Sequence, residues 1–118
     1  MSGDRGKRAA RWVAGYLADW WPSIEATPGG RNGRDLLGCP GVAWEVKTEA
    51  DWRPAGALAQ AARNAGPDIP IVFYLPPGVG QDTVGTRGHI VMAPEVVMAL
   101  LVAAGYAPAP ITESEHKT

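Results

Sequence analysis

Gly33-Arg34-Asp35-Leu36-Leu37-Gly38-Cys39-Pro40-Gly41-Val42-Ala43-Trp44-Glu45-Val46-Lys47-Thr48 is the stretch on which the fold turns. Gly38-Cys39-Pro40-Gly41 has the composition of a tight turn, and apolar residues flank it on both sides. Two short strands folded back on each other are therefore predicted. With the turn centred near Pro40, Asp35 lies about opposite Glu45, and directly opposed residues of an antiparallel pair have Cβ atoms roughly 4.5–5.5 Å apart. Strand alternation puts Lys47 on the Glu45 face and sends Trp44 and Val46 to the other. Two carboxylates and one ammonium thus crowd one patch above an apolar underside.

Such a patch has a chemical use. Paired carboxylates and water make a hard oxygen site of the kind that Mg²⁺ or Mn²⁺ takes. A cation there lowers the pKa of water and neutralises charge on a phosphodiester oxygen. The neighbouring lysine is a compact point charge that can orient the attacking water or hold the phosphate. Metal-assisted phosphodiester hydrolysis is the reaction these parts would assemble.

Asp35 followed across a small-residue turn by Glu45-Val46-Lys47 resembles the signature of the PD-(D/E)xK nucleases. Gly33 to Gly38, Pro40-Gly41-Val42 and the later Gln60-Ala61 extend the resemblance to the short Holliday junction resolvase-type endonucleases of bacteriophages, actinobacteriophages above all. It runs from about Arg5 to Tyr106, and its specific part is the centre. The resemblance implies Asp35, Glu45, Lys47 and Gln60 as the catalytic set, with Mg²⁺ or Mn²⁺ held by Asp35, Glu45 and Val46. It also implies branched DNA as substrate, and the cytoplasm of an infected bacterial host as the location. A homodimer follows in the same way, since symmetrical cutting of a four-way junction needs two sites.

The chain departs from that family in one place. Many members carry a metal-holding glutamate in the first helix, and near Ala10 this chain has no acid. Asp19 lies more than two helical turns further on. Either the site runs on fewer ligands, or Glu25 supplies the missing one, or activity is weak; Glu25 is otherwise an ordinary surface residue.

The 118 residues carry a net charge of −1, so no overall basic excess marks a nucleic-acid binder. The distribution says more. Arg5, Lys7, Arg8 and Arg11 cluster near the start and Arg31 and Arg34 flank the acidic patch, while the second half is acidic. With Arg63 and Arg87 these are the candidate DNA contacts. An apolar fraction of 46% and five tryptophans suffice for one core. The single cysteine, Cys39, excludes an internal disulfide and a cysteine-based zinc cage, and it reads as a turn residue. No stretch approaches the ~20 apolar residues of a membrane span, so a soluble, intracellular protein is expected.

In chain order, residues 1–4 are expected to fray. A helix then runs from Arg5 or Gly6 to about Trp20, with Ala9, Trp12, Val13, Tyr16, Leu17 and Trp20 on its apolar stripe. Ser23 to Thr27 is a first strand, followed by a glycine loop whose amides could approach a phosphate. Beyond the opening stretch, Asp51 reads as the N-cap of a helix to about Ala65, whose alanines allow close approach to a sheet. Pro70 to Leu75 is a central strand, Pro76 to Gly88 a long mobile loop, and His89 to Met92 another strand. Pro94 to Ala104 is a last helix whose broad apolar face packs on the sheet or on a second copy.

The order α-β-β-β-α-β-β-α gives an α/β fold with a mixed central sheet flanked by helices, as in the PD-(D/E)xK (restriction endonuclease-like) core. Residues 1–107 form one nuclease-like domain and residues 108–118 a flexible tail. Two other functions are compatible with this reading. One is the same fold acting on a different DNA, as a nicking, repair or flap nuclease. The other is a non-catalytic DNA- or protein-binding module, which the missing acid and the slight negative charge favour.

Overall fold

The structure, a computed structural model, describes residues 2–27 and 34–111, the side chains of residues 2–4 excepted. Its elements are α1 (Ser2–Leu17), β1 (Glu25–Ala26), β2 (Leu36–Leu37), β3 (Val42–Lys47), α2 (Pro54–Ala65), β4 (Ile69–Tyr74), α3 (Val84–Arg87), β5 (His89–Val91) and α4 (Pro94–Ala103). β3, β4 and β5 form a mixed sheet with β4 in the middle, parallel to β3 and antiparallel to β5. β1 and β2 form a separate antiparallel ladder, Glu25 opposite Leu37 and Ala26 opposite Leu36. The expected α/β architecture with a mixed sheet is therefore present.

β4 is central because its residues are apolar on both faces, and Ile71 to Leu75 are all buried. Alternation divides it between two layers. Ile71 and Phe73 join α1 and Trp44 in the larger core, whereas Val72 meets Ala57 and Ala61 of α2. The α2 face is small throughout (Ala57, Ala61, Ala65), so the helix lies close on the sheet. α1 buries Ala9, Ala10, Val13, Ala14 and Leu17, again mostly small residues.

Several boundaries differ from the sequence expectation for physical reasons. α1 is already helical at Ser2, so the expected fraying of residues 2–4 is not seen. It ends at Leu17 instead of Trp20, because the Trp20 and Trp21 amides both fold back onto the Leu17 carbonyl ahead of Pro22. Tyr16 and Trp20, assigned to the core stripe, are 37% and 60% exposed. Asp51 is not the cap of α2. The N-cap is Arg53, and Asp51 instead accepts from the Arg53 guanidinium at 3.0 Å.

The long loop is also mostly folded: a 3₁₀ turn at Gln81–Thr83 leads into α3, and Val79 and Val84 sink into the core. Cys39, read as a turn residue, is in the turn but buried in the larger core together with Trp44, whose buried indole N–H has no hydrogen-bond partner among the described residues. α4 packs no side chain to burial, which sets aside the expectation that it covers its own sheet. No helix among the described residues is long and apolar enough to cross a membrane.

Candidate active site

The predicted β2–β3 hairpin does not form as a ladder: β2 pairs with β1 and belongs to a different sheet from β3. The two arms of the turn are joined instead at Asp35, whose amide donates to the Trp44 carbonyl at 3.3 Å. Two features hold the turn. Gly38 has φ +94°, and a Cβ there would run into the Ser23 carbonyl. Thr27 ties down the other side of β2, its amide donating to Asp35 O at 2.9 Å and its hydroxyl to Arg34 O at 2.7 Å. Asp35 is thereby held against the middle of β3, and its Oδ2 accepts from the Val46 amide at 2.7 Å.

Glu45 projects from β3 toward α2 and is 6% exposed. Burial, and then the charge of Asp35, push its pKa up to about 7. The Lys47 charge and the Asn64 amide act in the opposite direction. Burial also raises Asp35 above its ordinary value, with the Val46 amide and Lys47 as partial offsets. Two carboxyls that resist ionising side by side form a site that favours a proton or a cation between them.

Lys47 is the fixed cation of the patch. Its Nζ donates to Gln60 Oε1 at 2.9 Å and stands 3.8 Å from Glu45 Oε1 and 3.9 Å from Glu49 Oε1. Gln60 thus joins the site from α2, as expected, but through the lysine. Glu49 and Asn64 were missed. Both had a signal: Glu45-x-Lys47-x-Glu49 continues the strand period, and Asn64 lies one helical turn after Gln60.

Asp35, Glu45, Lys47 and Glu49 line a cleft of about 790 Å³ that is closed on its far side by Arg5 and Arg8 of α1. The Arg5 guanidinium donates to Thr48 O at 2.6 Å, and Arg8 lies 5.9 Å from the Trp12 ring. α1 brings no acid to the cleft: its lining residues there are Arg5, Gly6 and Arg8, Ala10 is buried, and Asp19 lies beyond the helix.

The other sequence candidates are elsewhere. Glu25 is exposed on β1, and among the described residues no three His, Cys, Asp or Glu side chains converge. The structure therefore does not bring Glu25 to the pair. Arg34, expected to meet phosphate, instead caps the end of α2. It donates to Ala65 O at 2.7 Å, to Asp68 Oδ2 at 2.8 Å and, more weakly, to Asn64 O at 3.4 Å. The carbonyls at a helix C-terminus need such partners, and Arg34 supplies them. Lys7, Arg11, Arg63 and Arg87 are exposed but do not line the cleft. Arg31 and the rest of the glycine loop, residues 28–33, lie outside the described residues.

The donor set fits a hard divalent cation. It offers two carboxylates, one with an oxygen already oriented by a backbone amide, and open cleft volume for water ligands. The part of Val46 that meets the pair is its amide, which orients Asp35. No protein-family model matches the chain, and neither a curated protein nor a solved structure is significantly similar to it.

Proposed function

We propose that the protein is a divalent-metal-dependent DNA endonuclease of the PD-(D/E)xK type. One observation carries the reading: Asp35, Glu45 and Lys47 share one cleft with Arg5 and Arg8. Anionic ligands for a cation and cationic ligands for a backbone thus line the same cleft. Asp35 and Glu45 would hold Mg²⁺ or Mn²⁺. When bound, the cation supplies charge neutralisation at the phosphate and a lowered water pKa.

The chain's own residues account for the rest. The Val46 amide fixes the orientation of Asp35, and the Gln60 amide oxygen fixes Lys47. The lysine ammonium then stands ready to hold the attacked phosphate and stabilise the charge that builds on it. Water adds to phosphorus, the bond to one ester oxygen breaks, and that oxygen takes up a proton as the strand is cut. Arg5 and Arg8 hold the flanking backbone by charge, which makes binding salt-dependent. Gln60 is a positioning residue in this scheme.

Branched DNA, such as a four-way junction, is the substrate to which the sequence resemblance points. The test is cleavage of a labelled four-way junction and a matched linear duplex with Mg²⁺ or Mn²⁺, beside Asp35→Asn and Lys47→Ala. Paired nicks near the branch, lost with chelator and in both variants, are expected. Equal cutting of both DNAs would keep the nuclease and discard the junction preference. Absence of metal-dependent cutting by folded protein would leave a binding module.

A further inference from the structure

We infer that the strand engaged by the acidic cleft is unpaired, the bases on either side of the cut resting in two small pockets, one built on Trp12 and the other on Trp52. The inference rests on the nuclease reading in taking that strand to be DNA, and it departs from the fully paired arms of a four-way junction.

The cleft lies at the C-terminal end of β3, where the chain leaves the sheet as Thr48, Glu49 and Ala50. On the α1 side a pocket of about 210 Å³ shares Arg5, Arg8 and Thr48 with it. On the α2 side a pocket of about 230 Å³ shares Lys47 and Glu49 with it. Each small pocket therefore adjoins the cleft at the cations that would hold a phosphate, and each has one tryptophan in its wall. Alternating cationic and aromatic walls match a nucleic-acid strand, in which charged phosphates alternate with flat neutral bases.

The Trp52 pocket is the more firmly built. The Trp52 ring lies on that of Tyr74, centroids 4.0 Å apart and planes within 2°. Tyr74 is itself fixed: it is buried, it pairs with Lys47 in the β3–β4 ladder, and its hydroxyl donates to Glu49 O at 2.9 Å. The stack thus ties the tryptophan to the strand that carries the lysine. Trp52 stays only half-buried and forms a wall of the pocket with Gly56 and Gln60 of α2. Gly56 leaves room there, since a Cβ at that position would meet nothing within 4 Å. Glu49 and Asp51 also face this pocket. They would repel a second phosphate but not a neutral base.

On the α1 side Trp12, also half-buried, shares its pocket with Leu75 and the Pro76-Pro77 turn. The Arg8 guanidinium lies 5.9 Å from its ring and borders both the pocket and the cleft. One arginine can then serve a phosphate in the cleft and the base beside it. In a duplex the faces of each base are covered by its neighbours, so two tryptophan platforms are of use only to an unstacked strand.

The test is fluorescence anisotropy of a labelled single strand, a matched blunt duplex, and that duplex carrying a single-stranded flap. Ca²⁺ replaces Mg²⁺ in these titrations, and cutting is followed separately with Mg²⁺. The single strand and the flapped duplex are expected to bind about tenfold tighter than the blunt duplex. The tighter of the two identifies the source of the unpaired stretch, a free strand or a branch. Trp12→Ala and Trp52→Ala should each weaken binding roughly fivefold to a hundredfold, and Trp52→Phe should restore most of it. Gly56→Leu guards against misfolding as the cause, because it places a better helix former at an exposed position while filling the pocket, and it should reproduce the loss. Equal affinity for the three DNAs would overturn the inference, as would binding indifferent to Gly56→Leu and both alanine variants. Either result beside Mg²⁺-dependent cutting would leave the nuclease reading standing. A single-strand preference lost in these variants, in a protein that cuts nothing with Mg²⁺, would keep the pockets and remove the nuclease.

Discussion

Replacing Glu45 with glutamine is expected to stabilise the metal-free protein at neutral and alkaline pH. In the unfolded chain this carboxyl titrates near 4.5; in the fold, burial and then Asp35 push it up to about 7. The folded pKa is the higher one, so between these values the folded state binds more protons than the unfolded state. Stability is therefore lost as pH rises from 4.5 through about 7. Below that window both states are protonated and the residue costs nothing; above it the full cost remains. At about 1.36 kcal/mol for each pKa unit, that cost is on the order of 3 kcal/mol. This is a large share of the roughly 5–15 kcal/mol that holds a domain together.

Glutamine keeps the shape, still accepts from the Asn64 amide, and can donate toward Asp35. It gives up the charge facing Lys47 at 3.8 Å, which trims the gain. Urea denaturation in chelator, followed by tryptophan fluorescence from about pH 5 to about pH 8, measures the difference between the two proteins, and groups common to both largely cancel. Near-equality at the acid end and a widening gap in favour of the variant are expected. Parallel curves, or wild type gaining on the variant as pH rises, would refute the reasoning.

A divalent cation should reverse that penalty. Mn²⁺ is expected to raise the denaturation midpoint of the wild type at neutral pH and to leave Asp35→Asn nearly unmoved; equal shifts in both would place the cation elsewhere. Arg34→Ala should cost about 1–3 kcal/mol by orphaning the carbonyls that end α2, while leaving DNA affinity unchanged. A loss of affinity without a loss of stability would return Arg34 to the DNA face. Gly38→Ala meets both the left-handed backbone and the Ser23 carbonyl, and should cost roughly 1–3 kcal/mol in a thermal or urea melt. Leu75→Ala, at a residue 2% exposed in the larger core, should cost about 2–5 kcal/mol.

Much of the architecture was legible because it is written in local periodicity. The apolar run after Pro70 became the buried centre of the sheet, and the alanines of α2 became its contact face. Prolines and glycines marked element ends to within a few residues. Errors arose where a distant partner decided the outcome. Asp51 had the chemistry of a cap, but Arg53 offered a nearer charge. The loop from Pro76 to Gly88 was polar and glycine-rich, yet two valines five residues apart were enough to anchor it.

For the site, local geometry was enough to put Glu45 and Lys47 on one face of β3 and to bring Asp35 back toward them across a glycine–proline turn. That Asp35 stays there owes more to Thr27 and to the close approach of Gly38 to Ser23 than to strand pairing. The environment of that trio came from contacts distant in sequence. It took α2 to pin Lys47 through Gln60, and burial by both layers to raise the two carboxyls. It took α1 to close the cleft with Arg5 and Arg8, and the end of α2 to withdraw Arg34 from the surface. Which residues are neighbours along a strand is a matter of backbone geometry. How charged they are, and what faces them, depends on the dielectric and the partners that folding assembles from residues far apart in the chain.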